Sequence, residues 1–186
     1  MTSIDDEKEE LKRLVKHLRE QLEQLHLIAT HDEKTGVYNS TFFKSIFEFE
    51  LRKAERDGTF CLVVIDLDFF KKVNDTYGHI TGDKILKRTA EILKGGMRGA
   101  DVAARFGGEE FFIILPDADR DKGRQVAERL RKAVLKDRFL KKHGLTISAG
   151  VAEYKKKDTF DTLANRADEA LYEAKKTGRN RVVVRK

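Results

Sequence analysis

The stretch Arg105-Phe106-Gly107-Gly108-Glu109-Glu110-Phe111 constrains this chain more than any other, because Val102-Ala103-Ala104 precedes it and the apolar run Phe112-Ile113-Ile114-Leu115 follows. Two strand-length segments joined by a Gly-Gly turn must fold back on each other, so any sheet that contains them has an antiparallel pair. Glycine tolerates positive φ and presents no side chain, so such a turn exposes its two acids and lets a bulky anion approach the backbone. An isolated Gly-Gly-Glu-Glu turn is also compatible with a plain solvated loop; partners elsewhere in the chain decide between the two.

The remaining elements follow from periodicity. Residues Ile4 to Ile28 contain no Gly or Pro and read as one helix with Ile4, Leu11, Leu18 and Leu25 at heptad position a, Leu14 and Ile28 at d, and Glu7 and Gln21 as polar interruptions. This helix either pairs with a second copy or docks on its own domain. Thr30 to Asn39 breaks the heptad and reads as a hinge. A helix is expected from about Thr41 to Arg56, stopped by Asp57-Gly58, then a buried strand from Phe60 to Ile65. Further helices are expected over Asp83–Leu93, Asp121–Leu135 and Thr159–Lys176, with strands at Leu145–Ala152 and Val182–Val184. The order α, β, α, β-hairpin, α, β, α, β predicts an α+β domain over residues 31–186 with a mainly antiparallel sheet flanked by helices, behind a long N-terminal helix over 1–30.

Composition narrows the partners. Charged residues make up 38% of the 186, against roughly 25% in ordinary globular chains, and the net charge is +6. Basic residues are interspersed with acids and form no stripe, so neither nucleic acid nor a membrane surface is the expected partner. No apolar run reaches the roughly 18 residues of a membrane span, and the acidic N-terminus lacks the layout of a signal peptide, so a cytoplasmic protein is expected. The single Cys61 excludes an internal disulfide and is expected to pack.

A second cluster of chemistry follows the buried strand, Asp66-Leu67-Asp68-Phe69-Phe70-Lys71-Lys72-Val73-Asn74-Asp75, continuing through Gly78-His79 to Gly82-Asp83. Asp66 at a strand end before a helix suits a hard divalent cation, and equally an N-cap.

Three blocks together resemble the GGDEF family of diguanylate cyclases. They are Gly107-Gly108-Glu109-Glu110-Phe111; the pattern D-x-D-x-F-K-x-x-N-D-x-x-G-H-x-x-G-D from Asp66 to Asp83; and Ala167-Asp168-Glu169-Ala170-Leu171-Tyr172 through Gly178-Arg179-Asn180. The resemblance implies a nucleotidyl-cyclase-like palm domain that joins two GTP into cyclic di-GMP with release of pyrophosphate, each 3′-hydroxyl attacking the other nucleotide's α-phosphate. It implies two Mg²⁺ ions, or Mn²⁺, per half-site, held by Asp66, the Leu67 carbonyl and Glu109. Glu109 or Glu110 would assist deprotonation, and the phosphates would lie on the amides of Phe69 and Phe70 and on Lys71, Lys175 and Arg179. Lys175 and Arg179 also suit a helix C-terminus as ordinary cations. Gly107, Gly108 and His79 fall in the same substrate-binding blocks. Guanine's N1–H and amine suit the acceptor-only Asp83, with Asn74 on the remaining edge; relatives that make mixed guanine-adenine dinucleotides carry a smaller residue there.

One protomer would hold one GTP, so the resemblance also implies a homodimer, which the N-terminal coil would assemble. Arg98-Gly99-Ala100-Asp101 stands at the spacing of the family's inhibitory RxxD motif, with Arg129 as a supporting cation. Along an extended strand Asp101 lies about 20–25 Å from Glu109, so the pair serves a different pocket; an arginine fork suits the O6/N7 edge of guanine. The same pair also reads as a simple loop ion pair. The opening motif departs from the family: Lys34 and Ser40 stand where leucine and arginine are usual. Two other functions fit less of this pattern: a non-catalytic module that binds GTP or cyclic di-GMP, and a pure dimerisation scaffold.

Overall fold

The computed structural model describes residues 4–56 and 58–185. Asp57, half of the expected Asp57-Gly58 stop, lies outside the described residues, as do the side chains of Ile4 and Glu7. The elements are α1 (Ile4–Thr30), β1 (Tyr38–Asn39), α2 (Ser40–Ala54), β2 (Phe60–Asp68), α3 (Phe70–Tyr77), α4 (His79–Gly95), β3 (Val102–Gly107), β4 (Glu110–Pro116), α5 (Arg120–Lys136), α6 (Arg138–Lys142), β5 (Thr146–Glu153), α7 (Phe160–Lys176) and β6 (Val182–Arg185).

Six strands form one sheet in the order β1-β3-β4-β2-β5-β6. The three inner pairings are antiparallel, as the hairpin requires, whereas the edge pairs β1/β3 and β5/β6 are parallel. Parallel edges arise because α2 with β2 and α7 are crossovers that return the chain in the same direction. β2 is buried along its full length. Its residues alternate between two cores: Cys61, Val63, Ile65 and Leu67 pack with Ile85, Leu86 and Leu130, while Phe60, Leu62 and Val64 pack with Phe43, Phe47, Leu163 and Leu171. A strand covered on both faces must be apolar throughout, which is why it reads as an unbroken run.

Three expectations change. The helix expected from Asp83 begins at His79, and a separate α3 precedes it; Gly78, at φ 80°, makes the corner between them. Asp137 accepts from Leu140 N–H and caps the unexpected α6.

The segment read as a hinge is bolted to the domain. Asp32 Oδ1 accepts from Thr35 N–H and Oγ1 at 3.0 and 2.6 Å, and both its carboxylate oxygens accept from Arg105 Nη1. Tyr38 and Asn39 pair with Ala104 and Arg105 of β3, and Asn39 both caps α2 and donates to the Ala29 carbonyl.

α1 leaves its apolar side chains exposed rather than docking them: Leu11, Leu14, Val15, Leu18, Leu22 and Leu25 all face solvent. Val15 and Leu22 extend the stripe, so the seam alternates by four and three through Leu11, Val15, Leu18, Leu22 and Leu25.

Candidate active site

The last residues of β2 leave its apolar run, and pleat alternation puts Asp66 and Asp68 on the sheet face covered by α7. Asp66 sits opposite Glu110 across the β2/β4 ladder, and Leu67 N–H donates to the Glu109 carbonyl at 3.3 Å. The acidic turn therefore lies directly against the end of β2. Gly108, at φ 48°, takes the left-handed conformation that this turn needs, and side chains added at Gly107 or Gly108 would meet only open space. Arg105 holds the turn from behind by donating to the Gly108 carbonyl from Nε and Nη2 at 3.0 and 2.7 Å.

Asp66 is buried, and Lys175 of α7 reaches it with Nζ at 2.8 Å from Oδ2. Burial raises the Asp66 pKa despite that lysine; burial and the Asp66 charge raise Glu109 and Glu110 as well. Carboxylates that raise one another's pKa are a donor set that a hard dication relieves. Among the described residues no three such side chains converge into a complete cage. Magnesium commonly takes one or two carboxylates and fills its octahedron with water, carbonyl and phosphate oxygens. Asp66, Glu109 and the Leu67 carbonyl would hold it here.

Beside the acids, Phe69 is at φ 63°, a left-handed conformation unusual for an aromatic residue, and it starts α3 without a side-chain cap. The first-turn N–H groups of α3 are thus left for an anion. Lys71 is exposed on that turn. The Arg179 guanidinium lies 4.9 Å from the centre of the Phe69 ring. Arg179 and Asn180 also have positive φ, 60° and 45°. Backbone held this way clusters at ligand sites when its surroundings enforce it. The enforcing residue is Asp68, which sequence reasoning placed in the motif without a role: it accepts from Asn180 N–H, Thr146 Oγ1 and Ser148 Oγ at 3.1, 2.6 and 2.8 Å. Asp168 of α7, also unassigned from sequence, adds its charge near Glu110 and has its own pKa raised by burial.

Asn74 of α3 packs against Gly82 of α4, where a Cβ would collide with Asn74 Oδ1, and Asp83 is the next residue of that helix. That oxygen is buried and has no hydrogen-bond partner among the described residues, as expected of an acceptor kept for a ligand. Asp83 instead holds Lys34, with Nζ 2.8 and 3.0 Å from its two oxygens. His79 is exposed at the first residue of α4.

The remaining predicted pair lies at the other end of β3, away from the turn. Asp101 is buried and accepts from Arg98 N–H at 2.8 Å and from its guanidinium at 3.1 and 3.3 Å, while Arg98 Nη2 also donates to the Pro116 carbonyl. Arg129 donates twice to the nearby Gly96 carbonyl.

The fold and site define a palm-like α+β domain with a strand-end acid, an acidic hairpin turn and an uncapped helix start on adjoining backbone. The family profile described as "Diguanylate cyclase, GGDEF domain" matches residues 29–181, and the chain belongs to this family. It is 38% identical over 188 residues to diguanylate cyclase DgcP of Pseudomonas aeruginosa, covering 99% of this chain and 27% of that protein. It is 45% identical over 136 residues to diguanylate cyclase A of Treponema denticola, covering 71% and 37%. The chain thus spans well under half the length of these curated relatives. Among solved structures it resembles the coiled coil and GGDEF domain of DgcB from Caulobacter crescentus, solved in complex with c-di-GMP, with TM-score 0.85, 34% identity, and 99% and 100% of the two chains covered.

Proposed function

We propose that this chain is a diguanylate cyclase that condenses two GTP into cyclic di-GMP and two pyrophosphates as a homodimer. The observation that carries this reading is the abutment of Asp66 and the Glu109–Glu110 turn beside the uncapped, left-handed start of α3. Acids that bind a cation and amides that bind phosphate oxygens stand on adjoining backbone. Mg²⁺ bound there would neutralise α- and β-phosphate charge in an in-line displacement. The protein's own groups do the rest. The amides of Phe69 and Phe70 and the side chains of Lys71 and Arg179 receive the outer phosphates, and Lys175 keeps Asp66 partnered until a nucleotide arrives. Glu109 or Glu110, raised by burial, accepts the proton of the incoming 3′-hydroxyl. Asp83 and Asn74 read the guanine edge.

One cleft offers a single nucleotide site, so the attacking hydroxyl comes from a second copy. The exposed seam of α1 supplies the contact that brings two clefts together. Arg98, supported by Arg129, is the product-inhibition site; opening the Arg98–Asp101 pair frees the arginine fork and the buried acceptor together. Incubation with GTP and Mg²⁺ tests the function: one pyrophosphate per GTP and a product of cyclic dinucleotide mass support it, and absence of pyrophosphate above an Asp66→Asn control refutes it.

A further inference from the structure

Lys34, a departure from the family pattern, pairs with a residue of the proposed base pocket. Its Nζ bridges both oxygens of Asp83, 49 residues away in sequence, although the two side chains are about half exposed, 53% and 46%. An exposed ion pair contributes little to stability, so its position matters more than its strength. The loop that carries Lys34 is rigid: Asp32 ties it to Thr35 and to Arg105, and Lys94 Nζ donates to the Gly36 carbonyl. The ammonium is therefore delivered to the carboxylate that the proposed reading assigns to guanine, one residue along α4 from the Gly82 that Asn74 Oδ1 packs against.

The geometry points to Lys34 as an additional specificity-determining residue of the base pocket, donating to guanine O6 while Asp83 accepts from N1–H and the 2-amine. The inference rests on the assignment of this pocket to guanine. On the Watson–Crick edge O6 adjoins N1–H, so a cation bound to the carboxylate oxygen that takes N1–H stands next to O6. A carboxylate has about four acceptor positions, and it can keep the lysine on an outer lone pair while it accepts two protons from the base. The same ammonium opposes adenine, whose 6-amine would meet it donor to donor. Lys34 thus adds attraction for one purine and repulsion for the other. A leucine at this position could do neither.

Nucleoside diphosphates test this without turnover. GDP, 6-thio-GDP, which keeps N1–H and the 2-amine but carries a poorer acceptor at position 6, and IDP, which lacks only the 2-amine, are titrated calorimetrically with Mg²⁺ into the full chain and its Lys34→Met and Lys34→Arg variants. The wild type is expected to prefer GDP over 6-thio-GDP by about 5- to 10-fold, in the range of one hydrogen bond to a charged donor at a partly exposed site. Lys34→Met should bind the two alike, Lys34→Arg should restore most of the preference, and the penalty for IDP should be the same in all three. An unchanged GDP to 6-thio-GDP ratio in Lys34→Met overturns the proposal. So does tighter GDP binding by Lys34→Met, which would make the lysine a mere competitor for Asp83, and so does a wild type that binds no GDP. If the expected pattern appears but GTP yields no pyrophosphate, the base-reading role stands and the cyclase reading falls.

Discussion

Replacing Leu18 and Leu25 by glutamine should break the dimer while leaving the domain intact. Both lie on the exposed seam of α1, at 52% and 61% exposure, and glutamine has nearly the same helix propensity as leucine. Burying the half of a leucine that is still exposed stabilises association by about 1 kcal/mol per chain, since burying a whole side chain contributes about 2. Each position occurs twice in a dimer, so two substitutions remove about 4 kcal/mol, which weakens dimerisation by about a thousandfold. Sedimentation equilibrium measures that constant, and pyrophosphate release from GTP across a dilution series measures its consequence. The variant's specific activity should fall as it is diluted and recover at high concentration, while its thermal midpoint at high dilution matches that of the wild type. Dimerisation constants within threefold of each other, or specific activities that superpose at every dilution, would refute the pairing role of α1. Deletion of residues 1–28 should reproduce the same concentration dependence.

Four further outcomes follow from particular contacts. Arg105→Ala leaves Asp32 and the Gly108 carbonyl without their partner, so it should cost about 2 kcal/mol, lower Tm by about 4–8 °C and reduce activity by loosening the turn; an unchanged Tm would contradict this. Arg98→Ala should relieve inhibition by added cyclic di-GMP without lowering the initial rate, and equal inhibition in variant and wild type would remove the assignment. Burial pushes the Cys61 thiol up to about 12, so the folded protein should resist thiol reagents at pH 8 and react only on unfolding; rapid labelling of the native protein would be the contrary result. Asp66, Glu109 and Glu110 are all raised, so the metal-free folded chain keeps protons that the unfolded chain has released. Their contribution to stability is therefore lost as pH rises from the ordinary carboxylate range through the raised values. Magnesium should remove that penalty, so the Tm difference between Mg²⁺ and EDTA should widen with rising pH; a constant or narrowing difference would contradict the crowding of these acids.

What could be read from the chain divides by how local its cause is. The hairpin and the buried β2 run are short-range patterns, and each appears where expected. β1 has only two residues and owes its existence to β3, so no periodicity marks it. The separate α3 carries just Phe70 and Val73 as buried positions, too few to announce a helix, and Gly78 marks the break only once its positive φ is seen. Asp68 illustrates the harder case. Its partners Thr146, Ser148 and Asn180 are 78, 80 and 112 residues away, so its role in shaping the Arg179 loop belongs to tertiary structure alone. The anchoring of the segment after α1 is equally nonlocal, because Asp32 meets Arg105 across 73 residues.

A divalent cation shared between the end of β2 and the acidic turn is the centre of the proposed site. Titrating Mn²⁺, as a spectroscopic substitute, into the protein saturated with GDP and counting bound metal by electron paramagnetic resonance tests this directly. The wild type should hold manganese tightly, and Asp66→Asn and Glu109→Gln should each weaken it at least tenfold. If both variants bind manganese as the wild type does, the strand end and the turn do not share an ion.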